Sequence, residues 1–345
     1  MPDLPPERKR RVRYSGTHPR KFDEKYKELN PERYAAEIEK VKGRGQTPAG
    51  SHLAICVDEI IAALRLRPGM AGVDCTLGYG GHSLEMLRRI TPGGSLIGLD
   101  VDPIELEKAA RRIRDRGYDG SAFTARHMNF SSIEGCLSTV PGGFDFILAD
   151  LGVSSMQLDT PDRGFSYKNS APLDLRLDSS AGETAAVLLR RVSAEYLANL
   201  LVENADEPYA GAIAKAIHGR SAECQTTDGL GGVVSEALSA CGVRPDDAKS
   251  SLQRTFQALR IAVNDEFGSL DGLLLSIPRC LKPGGRVAVL TFHSGEDRRV
   301  KKAFKAGVSA GLFSECVRRP ERPSPRERRD NPRSTCAKLR WAVKA

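Results

Sequence analysis

Ala71-Gly72-Val73-Asp74-Cys75-Thr76 runs directly into Leu77-Gly78-Tyr79-Gly80-Gly81-His82, and a helical pattern follows over 83–90. A short apolar strand that ends in glycines and restarts as a helix is the opening unit of a nucleotide-binding α/β sheet. The glycines let the backbone approach a ligand, and the helix start offers free N–H groups. Asp100 stands 22 residues after Gly78, at the end of the next predicted strand, 95–100. That spacing suits an acid that accepts hydrogen bonds from a ribose diol. Loop and acid together point to an adenosine-type cofactor and leave NAD, FAD and S-adenosylmethionine open. The loop departs from the dinucleotide pattern, because Asp74 precedes it and His82 stands where a third small residue would ease helix packing. S-adenosylmethionine has no pyrophosphate to cradle; on that reading Asp74 could receive its ammonium group.

Outward from this loop the chain alternates. Helices are predicted at 57–66 and 103–116, and further strands at 121–127 and 144–150. Apolar strands alternating with helices imply a parallel sheet covered on both faces. The alternation then stops. Residues 156–250 show helical stretches at 185–191, 194–203 and 209–217, and a polar loop around Gln225 to Gly229. One long amphipathic helix is predicted from about Ser250 to Ile277, a fifth strand at 286–292 and a last strand at 338–343. The predicted organisation is a basic extension at 1–46, with a short helix after Asn30-Pro31. An α/β domain follows over 47–155 and 251–345, with an all-helical insertion at 156–250.

With 345 residues and 40% apolar content the chain can pack a core. No apolar run approaches the ~18 residues of a membrane span. The N-terminus lacks the apolar stretch of a secretory signal. Eight cysteines are scattered without a C-x-x-C pair, so no metal site is signalled and a cytoplasmic setting is expected. The net charge of +8 is uneven: residues 1–46 carry +5, 47–297 carry −8 and 298–345 carry +11. Basic ends on an acidic body suit a polyanionic partner, nucleic acid first.

The segment Asp150-Leu151-Gly152-Val153-Ser154-Ser155-Met156-Gln157-Leu158-Asp159 sharpens this. With Arg163-Gly164-Phe165-Ser166-Tyr167 and Pro172-Leu173-Asp174-Leu175-Arg176-Leu177-Asp178 it resembles the small-subunit ribosomal RNA cytosine-N4 methyltransferase family (RsmH, MraW). Matching blocks recur at 52–59, 80–83, 100–103, 254–264 and 284–294, and at Asn331-Pro332-Arg333-Ser334. The resemblance implies a class I S-adenosylmethionine-dependent methyltransferase fold, Rossmann-like, with an inserted helical substrate domain. It implies S-adenosylmethionine as donor and a cytidine N4 in the decoding centre of small-subunit ribosomal RNA as acceptor, naked or in a 30S-type particle. Cofactor contacts carry over to Gly80, Gly81, His82, Asp100, Phe130, Asp150 and Gln157. The chain departs from the family at Leu175 and Leu177 (usually Met), at Gly295 (usually Leu) and in the extended acidic turn at 204–207. Residues 1–46 are expected to lie outside the common pattern.

A cytosine N4 lone pair is delocalised into the ring, so an enzyme must turn it toward the methyl donor. Acceptors on its N–H groups do this. Asp150, at the end of the fourth strand, is the expected orienter or proton acceptor. Arg163, Arg176, Arg254 and Arg260 are candidate phosphate contacts, and His293 and Ser294 candidate substrate contacts. Two other classes stay open: a nicotinamide oxidoreductase, which binds NAD, and a non-catalytic RNA-binding or assembly protein, which needs no cofactor. A homodimer is also left open.

Overall fold

The computed structural model describes residues 54–345 apart from 155, 156, 159, 168 and 169. The extension at 1–46, its predicted helix, and part of the 52–59 and 150–159 blocks lie outside the described residues.

Seven strands form one sheet in the order β3-β2-β1-β4-β5-β7-β6. They are β1 (Ala71–Asp74), β2 (Ser95–Asp100), β3 (Phe123–His127), β4 (Phe144–Asp150), β5 (Leu281–Thr291), β6 (Phe313–Cys316) and β7 (Lys338–Lys344). The first five run parallel, and β7 is antiparallel to both β5 and β6. This is the kind of sheet that the family resemblance implies. Its order reverses between β1 and β4, which opens a crevice at the strands' carboxyl ends, where ligands bind in open α/β sheets.

Alternation along the strands splits the core between two faces. Phe146, Leu148, Ala288 and Leu290 face one way, packing with helices α1 (Val57–Leu64), α2 (Gly81–Ile90) and α3 (Pro103–Arg114). Val73, Ile147, Ala149, Val287 and Val289 face the other. Phe146 is fully buried, and a Cβ at Gly72 would lie 2.2 Å from its ring, so only glycine lets β1 and β4 close over it.

The insertion has a core of its own. Helices α4 (Ala185–Arg191), α5 (Ala194–Ala205), α6 (Ala210–Gly219) and α7 (Thr227–Ala240) bury Leu189, Leu201, Ile213, Ile217, Val234 and Leu238 together. Phe256, Ala258 and Leu259 of α8 (Pro245–Val263) join them, so this core extends past residue 250.

The structure corrects three readings. The predicted long helix is two, α8 and α9 (Glu266–Cys280), broken at Asn264-Asp265. Asp265 is left-handed (φ 45°), while Asn264 donates to Leu175 O and accepts from Leu177 N. Those long-range bonds end the helix where local periodicity continues. The loop expected at 225–229 runs into α7, where Thr226 Oγ1 accepts from Gly229 N. Glycines 229, 231 and 232 conceal this helix because each costs ~1 kcal/mol of propensity; burial of Leu230, Val233 and Val234 outweighs it. Strand β6 was not expected: it is only four residues long and its two central residues are exposed. Helix α10 (Ser294–Ser309) and the short α11 (Pro325–Asp330) complete the chain.

Candidate active site at the carboxyl edge of the sheet

The glycine loop leaves β1 with backbone that only glycine adopts cheaply. Gly78 has φ 49° and Gly80 has φ 80°. A Cβ on Gly80 would also press Ile113 Cδ1 at 3.2 Å. The loop is anchored from below by Asp74. That carboxylate is buried, accepting from Thr76 N (3.2 Å) and Ser83 Oγ (2.6 Å), and burial raises its pKa. Asp74 therefore ties the loop to α2.

Asp100 ends β2 beside the loop. Its Oδ2 accepts from Gly78 N (2.7 Å) and its Oδ1 from Asp102 N (2.9 Å). A carboxylate has about four lone-pair directions, so each oxygen keeps capacity for a diol. Burial lifts its pKa to about 6 against the pull of those two backbone bonds. Met128 N donates to Asp100 O, which sets the half-buried Phe130 just beyond, at the start of a 3-10 segment (Phe130–Thr139).

Asp150 ends β4, its backbone N–H donating to Thr76 Oγ1 (2.7 Å). His82, buried at the start of α2, donates through Nε2 to Ile55 O (2.9 Å), and its Nδ1 lies 3.5 Å from Asp150 Oδ2. The Asp150 side chain keeps 26% exposure, yet Oδ1 is buried and has no hydrogen-bond partner among the described residues. Burial raises its pKa to about 6; His82 lowers it, and Asp74 and Glu296 add to the rise. An unpaired buried carboxylate oxygen costs free energy that a bound donor would recover.

Gln157 is buried, its Oε1 accepting from Ser154 N (2.9 Å) and its Nε2 donating to Asp102 Oδ2 (3.0 Å). The sequence reading missed Asp102. It is 1% exposed, caps α3 at Ile104 N and Glu105 N, and receives Arg163 Nη1 at 2.8 Å. The signal was present as an N-cap followed by Pro103, but the cross-chain partners were not.

The arginines expected on phosphate are mostly committed inside the protein. Arg163 pairs with Asp102 and donates to Arg176 O and Leu177 O; Arg176 pairs with Asp174, and Arg260 with Glu266. Each of these pairs is largely buried, so the charges hold loops together. Arg254 is more open, 3.5 Å from the buried Glu207. His293 caps α10, with Nε2 3.1 Å from Glu296 Oε1, and Ser294 Oγ faces Asp206 Oδ2 at 3.4 Å. At Gly295 a Cβ would lie 2.7 Å from the Phe267 ring, so its departure from leucine accompanies a tightly packed Phe267.

The site thus joins a glycine loop with a ribose-type acid and an under-satisfied acid, and Asp74, Asp100 and Asp150 make it anionic. That set fits a cofactor carrying sulfonium and ammonium charge and no phosphate; it repels a pyrophosphate.

Comparison with known proteins agrees. The ribosomal RNA small subunit methyltransferase H 2 of Alkaliphilus metalliredigens is 49% identical over 343 residues, covering 98% of this chain and 98% of its own. The methyltransferase H 1 of Agathobacter rectalis is 50% identical over 342 residues, again covering 98% of each. That share reaches into residues 1–46, so these two relatives match there as well, while the family profile leaves the extension outside, as the sequence reading expected. The methyltransferase H of Symbiobacterium thermophilum is 40% identical over 311 residues, covering 85% of this chain and 96% of its own. The profile described as the MraW methylase family spans residues 49–345, the whole of the sheet, loop and helical insertion, and the chain belongs to that family.

Proposed function

We propose that this protein uses S-adenosylmethionine to methylate the N4 amine of a cytidine in the decoding region of small-subunit ribosomal RNA. The observation that carries this reading is the unpartnered buried Oδ1 of Asp150 beside the glycine loop. Family membership supports the reaction class. The names of the relatives support ribosomal RNA as substrate. The loop amides at Gly80, Gly81 and His82, the Asp100 carboxylate and Phe130 would hold the cofactor, which supplies an electrophilic methyl group. Asp150 accepts an N4–H, turns the lone pair out of conjugation, and takes the proton that the amine releases. His82 Nδ1 lies 3.5 Å from the carboxylate's Oδ2, and Oδ1 has no partner among the described residues. The helical insertion, 156–250 with the adjoining part of α8, serves as substrate-recognition domain. Among the described residues no helix is long and apolar enough to cross a membrane, and a ribosomal substrate places the enzyme in the cytoplasm. The test is methyl transfer to small-subunit particles and naked RNA, with digestion to nucleosides. N4-methylcytidine is the expected product; label at another atom or no label overturns the reading.

Asp100→Ala should weaken S-adenosylmethionine binding by ~1–3 kcal/mol, since a diol loses its charged acceptor. Calorimetry showing unchanged affinity would remove Asp100 from the site.

Arg318, Arg319, Arg322, Arg326, Arg328 and Arg329 are all exposed in the region carrying +11. Neutralising them should weaken RNA binding and flatten its salt dependence by about 0.7–0.9 in log–log slope per lost phosphate contact. A slope equal to wild type on the same RNA would leave the tail no docking role.

A further inference from the structure

On the reading above, the RNA must be held at more than the target base. A cleft of about 360 Å³ opens between α5 and the α8–α9 break, lined by Tyr196, Asn199, Glu203, Ile261, Asp265 and Phe267 among others. Its position follows from the sheet. Asp150 pairs in register with Leu290 of β5. Three residues on, the His293 ring lies 5.9 Å from the Phe267 ring. The cleft therefore stands on the same carboxyl edge as Asp150, displaced toward the helical insertion. None of the cofactor contacts that the family resemblance implies lines it.

Its lining has a definite chemistry. Tyr196 is 56% exposed, an uncommon state for a large ring with no packing duty, and offers a stacking face. Ile261 and Phe267 are buried and give the floor apolar character. Asn199, Glu203 and Asp265 are exposed on the rim. Asp265 precedes α9 in a left-handed conformation and makes no side-chain cap bond, so its carboxylate is not spent on the helix start. Two carboxylates repel phosphate but accept from exocyclic amines and ring N–H groups. The volume exceeds that of one planar base.

We infer that this cleft binds an unstacked nucleobase of the substrate RNA, a neighbour of the methylated cytidine and one bearing an exocyclic amine. Single-stranded RNA is read in this manner, by aromatic stacking and base-edge hydrogen bonds. The cleft would then fix the register of the strand while Asp150 performs chemistry at the next splayed base.

The experiment compares wild type, Tyr196→Ala and Tyr196→Phe on the small-subunit RNA substrate, naked and in particles. It is joined by zero-length ultraviolet crosslinking with peptide mapping. Because Tyr196 is exposed, both variants should keep the wild-type melting temperature and S-adenosylmethionine affinity. The expected result is a KM for RNA raised roughly 5- to 100-fold in Tyr196→Ala, the range of one lost base stack. Near-complete recovery in Tyr196→Phe and a crosslink from the cleft to a nucleotide other than the target should accompany it. Unchanged KM with naked RNA, or crosslinks only outside the cleft, overturns the inference. A defect confined to assembled particles overturns it too, since a protein segment would then be the occupant. Should wild-type protein itself fail to methylate RNA, the fault lies in the proposed function; crosslinking, which needs no turnover, still decides the cleft.

Discussion

Asp150→Ala should lower single-turnover methyl transfer by at least ~100-fold at saturating cofactor and RNA, in a protein that remains folded. Loss of one positioned acceptor or general base typically costs 10²- to 10⁴-fold. The wild-type environment explains why the loss is large. Oδ1 is buried without a partner among the described residues, so none of them competes for it. The same carboxyl group sets a pH dependence. Burial lifts its pKa to about 6, and only the ionised form can take the proton that the amine releases. Transfer should therefore fall as pH drops through about 6 and level off above it. If the variant transfers methyl at the wild-type rate, Asp150 serves only to bind cofactor.

Asp102→Ala should destabilise the fold by roughly 3–5 kcal/mol, the cost of breaking a buried ion pair from one side. Its carboxylate caps α3, receives Gln157 Nε2 and neutralises Arg163, whose side chain is 14% exposed. Removal strands the Arg163 charge and frees the segment after β4 that carries Gln157. Denaturant titration measures the loss, while the backbone N–H of residue 102 that donates to Asp100 Oδ1 survives the substitution. The double variant Asp102→Ala/Arg163→Met should recover part of the stability, since no charge is then stranded. Stability within about 0.5 kcal/mol of wild type in the single variant would show that Asp102 is not the anchor of this segment.

The sequence by itself determined the sheet and the loop. Apolar strands β1, β2 and β4, the glycines between β1 and α2, and the acid at the end of β2 are local signals, because strand burial and positive φ act over a few residues. The placement of Asp100, Asp150 and the loop at the ends of their strands was therefore legible in advance. Tertiary structure decided what the acids and arginines do. Asp74 is tied to Ser83 and Thr76, and Arg163, Arg176 and Arg260 looked like phosphate ligands until Asp102, Asp174 and Glu266 paired with them. The break between α8 and α9 likewise depends on Asn264 reaching residues 175–177, 87 positions away from Leu177. A charge is spent or free according to what lies within a few ångströms. For Asp102 and Arg163 that neighbour is 61 residues off along the chain, a distance that no local pattern encodes.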